Sequence, residues 1–95
     1  MKVFYIDLKD IDNKRELHEK IADALALPEY YGSNLDALAD VLAEYGRGWD
    51  IIFYNTSRIR EVMPAYMDSM EDMCRELCED EDGVPGNALR IRFYP

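Results

Sequence analysis

The chain has little positive charge. It contains 11 lysine and arginine residues against 20 aspartate and glutamate residues, which gives a formal net charge of −9 at pH 7. Binding to nucleic acid depends on cationic side chains that meet phosphates, so this balance argues against direct contact with RNA or DNA. It favours a basic protein partner, or simple solubility, and we expect the free chain to be a monomer.

The sequence also lacks long apolar runs. No stretch approaches the roughly 18 apolar residues that a membrane-spanning helix requires. Residues 1–7 carry neither the hydrophobic region nor the cleavage site of a signal peptide. We therefore expect a cytoplasmic protein that does not contact a membrane.

Cysteine and histidine are too scarce to indicate a metal site. The chain has two cysteines and one histidine. The spacing of Cys74 and Cys78 is a weak zinc signal, because no second cysteine pair follows and His18 is distant in the sequence. We expect no metal and no cofactor, with Cys74 as a reduced core residue and Cys78 beside the core. His18 falls off the apolar stripe of its helix and is expected to be an ordinary exposed histidine.

The length of the chain is that of one domain. Its 95 residues are 48% hydrophobic and 12% aromatic, and we expect a single domain over residues 1–95. Three short runs rich in β-branched and aromatic residues predict strands at 3–8, 49–54 and 89–94. The second run is apolar at nearly every position, as in a strand at the centre of a sheet or covered on both faces.

Helix signals occupy the intervals between the strands. Asp12 or Asn13 can cap a first helix, with Glu16 as the capping-box partner of Asn13. After the second strand we expect a short helix over about 56–62 and a longer helix from Pro64, because proline is tolerated in a first turn and disrupts a helix interior.

The resulting order of elements is β-α-α-β-α-α-β. The acidic run at 79–82 should fray the last helix, and residues 84–87 should form a turn before the third strand. Right-handed crossovers between neighbouring parallel strands place every helix on one face of the sheet. The expected fold class is therefore α/β in two layers, with a three-stranded parallel sheet in the order 1-2-3 and about four helices. A sheet in the order 2-1-3, with helices on both faces, is the alternative.

Residues 27–42 form the most distinctive stretch, an aromatic loop that leads into a short helix. Pro28 ends the helix before it, because the residue preceding a proline is excluded from the α region. Gly32 is expected to supply a backbone conformation that a side chain would forbid. Ser33 or Asn34 can cap the new helix.

At helical spacing, the residues of this short helix separate into two faces. The apolar side carries Leu35, Leu38, Leu42 and Tyr45. The opposite side carries three carboxylates, called here the acidic ridge: Asp36, Asp40 and Glu44. Aspartate is a poor residue for a helix interior, and like charges four residues apart repel by roughly 0.2–0.5 kcal/mol per pair. A local cost without local gain indicates function, although the simpler interpretation of the pattern alone is a solvated face.

The same stretch resembles the signature of a known family. Residues 26–32 (ALPEYYG), 34–38 (NLDAL) and Asp40 are similar to the barstar family, whose members are intracellular protein inhibitors of a secreted bacterial ribonuclease. The resemblance implies the same α/β fold. It also implies that the loop and the acidic ridge plug the active site of a basic ribonuclease or related nuclease toxin, with carboxylates where RNA phosphates sit.

The ridge and the resemblance together predict a partner-binding surface. Its residues are Tyr30, Asn34, Asp36, Ala39, Asp40, Glu44 and Glu76, with Gly32 shaping the loop. The resemblance implies that Asp40 lies deepest in the partner and that Asn34 lies at the rim. Two positions depart from the family pattern, because Ala39 replaces a large aromatic residue and Ser33 replaces an acid. These departures remove contact area and one charge.

Two other functions are compatible with the sequence. A non-inhibitory binding module would keep the scaffold and bind some other basic protein. An enzyme would use Asp36 and Asp40 as an acid–base pair, but no burying aromatic residues, metal ligands or nucleophile elbow accompany them. We therefore expect no enzymatic activity.

Overall fold

The computed structural model describes residues 2–79 and 89–95. In this part of the chain the elements are β1 (Lys2–Asp7), α1 (Lys14–Leu25), α2 (Leu35–Tyr45), β2 (Trp49–Tyr54), α3 (Ser57–Val62), α4 (Pro64–Glu79) and β3 (Arg90–Phe93). Strands and helices follow the predicted order. The expectations of a frayed helix end in the acidic run up to 82 and of a turn at 84–87 fall on residues 80–88, outside the described residues.

The strands form one parallel sheet in the order β1-β2-β3. Ile6 of β1 is in register with Phe53 of β2, and Phe53 is in register with Phe93 of β3. The predicted order 1-2-3 is confirmed and the alternative order 2-1-3 is wrong. β2 lies at the centre of the sheet, and its four middle residues are buried as a central strand requires.

One face of the sheet packs against the helices and the other is open. Ile6, Ile51 and Phe53 point into a core that the helices complete with Leu17, Ile21, Leu38, Leu42, Met67, Met70 and Cys74. On the open face, Val3 and Tyr5 of β1 are exposed, whereas Asp50 and Ile52 of the central strand are buried. The fold therefore has the two layers that crossovers of one hand dictate.

The helices begin where their local sequence predicts. At the start of α1, the Glu16 backbone N–H donates to Asn13 Oδ1 at 2.8 Å, and Asn13 Nδ2 donates to Glu16 Oε1 at 2.9 Å. Pro64 is the first residue of α4, where its missing N–H is not needed. On α4, Cys74 is buried in the core and Cys78 is partly buried beside the core, as expected.

None of the helices in residues 2–79 and 89–95 combines the length and the apolarity needed to cross a bilayer. The same residues contain no cluster of three or more histidine, cysteine or acidic side chains that could hold a metal ion.

Candidate functional site

The loop between α1 and α2 is built from a series of short-range hydrogen bonds. α1 ends at Leu25, and its C-cap residue Ala26 has a left-handed φ of 53°. The Tyr31 backbone N–H donates to the Pro28 carbonyl at 3.0 Å, which closes a turn. Asn34 caps α2, because its Oδ1 accepts from the Ala37 backbone N–H at 2.8 Å while its Nδ2 donates to the Gly32 carbonyl at 3.2 Å. The loop and the start of α2 are therefore one locally determined unit.

Gly32 serves this loop in a different way from the one expected. Its φ is not in the left-handed region, which is occupied instead by Ser33 at φ 54°. A Cβ added to Gly32 would lie 3.1 Å from the Ala37 Cβ and 3.5 Å from Asn34 Nδ2. The expectation of special backbone freedom at Gly32 was wrong, and a side chain at this position would instead make a tight contact with Ala37 of α2.

The acidic ridge points into solvent. Asp36, Asp40 and Glu44 are all exposed. No arginine or lysine within residues 2–79 and 89–95 forms an ion pair with any of them. The Glu44 carboxylate raises the pKa of the neighbouring Tyr45 hydroxyl, since a second negative charge there would be repelled. The ridge is therefore a surface of uncompensated negative charge.

A groove of about 230 Å³ runs between the loop and α2. The loop lines it with Pro28, Tyr30, Tyr31 and Gly32, and α2 lines it with Ala37, Asp40, Val41, Glu44 and Tyr45. Tyr30 is 85% exposed, so its ring is available to a partner. The groove thus combines an exposed aromatic ring with two carboxylates of the ridge, a set that can accept hydrogen bonds from cationic side chains.

The structure brings together only part of the predicted partner-binding set. Tyr30, Asp40 and Glu44 line the groove, and Gly32 lies beside them. The other four predicted residues are Asn34, Asp36, Ala39 and Glu76, and none of them lines it. Asn34 is the helix cap, and Glu76 is exposed on α4, which packs against α2.

Tyr45 was expected on the apolar side of α2 and is instead 54% exposed. It is the last residue of α2, and its side chain borders the groove together with Pro28. The helical period placed Tyr45 within about 20° of Leu38 around the helix axis. However, α2 ends at Tyr45, and Leu42 is the last residue of this helix that packs in the core. Ala37 and Val41 also line the groove, although neither was predicted to bind the partner. The sequence could have indicated them, because they lie four residues apart on α2 and each follows a residue of the acidic ridge.

The expectation that His18 is exposed was wrong. Its relative exposure is 0%, the lowest value possible. Its Nδ1 lies 2.6 Å from the Tyr31 hydroxyl, and its Nε2 lies 2.7 Å from the Tyr66 hydroxyl on α4. Burial lowers the pKa of His18 and raises the pKa of both tyrosines, because each charged form would lose hydration. Hydrogen bonding explains why a polar ring is tolerated in the core.

The sequence did carry a signal for His18. It precedes Leu25 by seven residues, which places the two within about 20° of each other around α1, so His18 lies at the edge of the apolar stripe. Both of its partners are distant in sequence, 13 residues away for Tyr31 and 48 for Tyr66. Periodicity within one helix does not report such partners.

Known proteins resemble this chain over most of its length. The family model described as Barstar (barnase inhibitor) matches residues 1–91. YrdF of Bacillus subtilis (strain 168), provisionally named as a ribonuclease inhibitor, is 32% identical over 85 residues, which cover 84% of this chain and 89% of the relative. Both descriptions are of inhibitors and not of enzymes. On this evidence the chain belongs to the barstar family.

Proposed function

We propose that this protein inhibits a basic ribonuclease of the barnase type by covering its active site with the acidic ridge and the loop before it. The main support for the proposal is the exposed charge of the acidic ridge. Its three carboxylates are exposed and have no cationic partner in the described part of the chain. Membership of a family described by inhibition of barnase supports the same conclusion.

Binding relieves repulsion between like charges in both the nuclease and the inhibitor. A ribonuclease cleft collects cations that bind phosphates, and these cations repel one another when the cleft is empty. A carboxylate placed about 4 Å from one of them gains about 4 kcal/mol at an effective dielectric constant of about 20, before desolvation is subtracted. The ridge carboxylates repel one another in the free inhibitor, so both sets of like charges are relieved on binding.

The groove suggests how the contact is arranged. Asp40 lies in the middle of the ridge and lines the groove, so we place it deepest in the nuclease cleft. Tyr30 would pack on the nuclease beside it, and Glu44 would bind at the end of α2. Asn34, Asp36 and Ala39 would extend this contact along α2, and Glu76 would extend it onto α4.

A matched pair of variants tests the proposal. Barnase activity is titrated with the wild-type chain, with Asp40→Ala and with Asp68→Ala. Asp68 is an exposed acid on α4 that lies outside the groove and forms no ion pair within residues 2–79 and 89–95, so its loss changes the net charge equally. We expect Asp40→Ala to weaken inhibition about 100-fold, or roughly 2.7 kcal/mol, and Asp68→Ala to change it little.

Two results would contradict the proposal. Equal inhibition by the wild type and Asp40→Ala would show that the ridge is not the site. If the wild-type chain leaves barnase fully active, ribonucleases of the barnase type are excluded as its target. Capture of a partner without nuclease activity from the cells of origin would then favour the non-inhibitory binding module. Circular dichroism of each variant verifies that the fold is intact.

A further inference from the structure

His18 joins three segments of the chain inside the protein. It belongs to α1, its Nδ1 meets the hydroxyl of Tyr31 in the loop, and its Nε2 meets the hydroxyl of Tyr66 on α4. The imidazole is fully buried, and the two tyrosines are partly buried. Lys14 Nζ lies 4.7 Å from the centroid of the Tyr66 ring and covers its outer side.

The hydrogen-bonding capacity of His18 is fully used. A neutral imidazole has one donor and one acceptor nitrogen. One tyrosine hydroxyl therefore accepts from the ring while the other donates to it. Burial disfavours the charged imidazolium, so the neutral ring is the form that packs here. Loss of either hydroxyl would leave a buried ring nitrogen without a partner, which is unfavourable.

The Tyr31 hydroxyl is also a point where the middle of the loop is attached to the body of the protein. At its start the loop is joined to α1 by the Leu27 backbone N–H, which donates to the Ala22 carbonyl at 2.9 Å. Further along, the Tyr31 backbone bonds to Pro28 and Asn34 bonds to Gly32, and these contacts determine the local shape of the loop. The bond between Tyr31 and His18 ties the middle of the loop to a buried residue of α1.

We infer that His18 and Tyr31 are positioning residues for the inhibitory surface. Tyr31 is anchored to His18, and its neighbour Tyr30 is thereby held on the outer side of the loop, across the groove from Asp40. His18 is fully buried and does not touch the nuclease, whereas Tyr31 contributes its ring to the groove while its hydroxyl bonds to His18. The inference rests on the proposed function and adds that affinity depends on a loop that is fixed before binding.

Tyr31→Phe and Tyr66→Phe form a matched pair for the test. Each keeps its ring and removes one hydroxyl from the same imidazole, but only Tyr31 belongs to the loop. In the free protein, amide hydrogen exchange is measured at Tyr31, whose N–H bonds to the Pro28 carbonyl. We expect Tyr31→Phe to accelerate this exchange about tenfold, as expected for the loss of one buried hydrogen bond, and Tyr66→Phe to leave it near the wild-type rate.

Inhibition of barnase by the same variants provides the second measurement. We expect Tyr31→Phe to weaken inhibition about tenfold, mainly through faster dissociation, and Tyr66→Phe to weaken it less than about twofold. Equal loop exchange in the two variants, or equal inhibition by them, would overturn the inference. If the wild type does not inhibit barnase, the proposed function fails, while the exchange measurement in the free protein still decides whether the loop is held by His18.

A second variant covers the case in which Tyr31→Phe does not fold. His18→Gln keeps one donor and one acceptor, but an amide does not match the spacing of the two ring nitrogens. We expect this variant to fold and to show accelerated exchange at Tyr31. Unchanged exchange in His18→Gln would show that the loop is positioned by other contacts.

Discussion

Tyr30 and Asp40 line the same groove, the tyrosine from the loop before α2 and the aspartate from α2 itself. The turn at Pro28 and the bond of Tyr31 to His18 determine where Tyr30 lies. The Asn34 cap determines where α2 begins and therefore where Asp40 points. An aromatic ring and a carboxylate are thus held together by contacts that are independent of any partner.

Neutralising the centre of the ridge should stabilise the free protein. Asp40 has Asp36 four residues before it and Glu44 four residues after it, so Asp40→Asn removes two repulsive pairs while the helix propensity changes little. We expect the free energy of unfolding in urea to rise by about 0.4–1 kcal/mol at low salt. The gain should vanish near 1 M salt, where the Debye length is about 3 Å. A loss of stability at low salt would contradict the description of the ridge as uncompensated charge.

Gly32→Ala should be coupled to Ala37. The new methyl group would lie 3.1 Å from the Ala37 Cβ, so we expect a loss of about 1 kcal/mol in the free energy of unfolding. Ala37→Gly removes the opposing methyl group and itself costs about 1 kcal/mol in helix propensity. In the double variant, the total loss should be smaller than the sum by about 0.5–1 kcal/mol. Strict additivity in urea unfolding would show that close approach is not the reason for glycine here.

Stability should fall in mild acid because of His18. Burial lowers the pKa of His18 in the folded protein below its ordinary value of 6.5, so the unfolded chain takes up the proton first as the pH falls. The contribution of the neutral ring is complete above pH 6.5 and declines below it, until the folded-state pKa is reached. The groups that face the ring are the Tyr31 and Tyr66 hydroxyls, with Lys14 beyond Tyr66. Burial raises the pKa of both tyrosines above the ordinary value, so neither tyrosine titrates in this range.

The control for this pH dependence is His18→Gln. Since the chain has one histidine, unfolding of this variant should show a flat stability between about pH 4.5 and 6.5. Hydrogen bonds from Asn55 and Arg58 lower the pKa of Asp7 and Asp12, so their contributions are lost only below the ordinary carboxyl value of 3.8. A wild-type stability that does not change between pH 6.5 and 4.5 would contradict the buried neutral histidine.

Much of the fold could be predicted because its signals are local. The apolar run of β2, the alternation of Arg90 and Arg92 with inward residues in β3, and Pro64 at the start of α4 each depend on a few neighbouring residues. The order 1-2-3 was the simplest one compatible with right-handed crossovers, although the sequence did not exclude the order 2-1-3. The exposure of the acidic ridge followed from helical spacing alone.

The errors arise where the packing between elements, or the end of a helix, overrides the local pattern. The buried His18 ring is hydrogen-bonded to two tyrosines from other parts of the chain. The sequence of α1 indicates where His18 lies relative to the apolar stripe, but it does not reveal these two partners. At Gly32 the loop approaches Ala37 closely enough that a Cβ would make a tight contact, a distance that no sequence pattern reports. Tyr45 is exposed because α2 ends there, although its helical phase is that of a core residue.

The most direct test of the account is the salt dependence of barnase inhibition by the wild type and by the triple variant Asp36→Asn, Asp40→Asn, Glu44→Gln. The variant keeps the shape of the ridge and removes its charge. If the ridge replaces RNA phosphates, the wild-type inhibition constant should rise steeply with salt, and the variant should inhibit at least about 100-fold more weakly with a much smaller salt slope. Equal inhibition constants and equal salt slopes for the two proteins would contradict it.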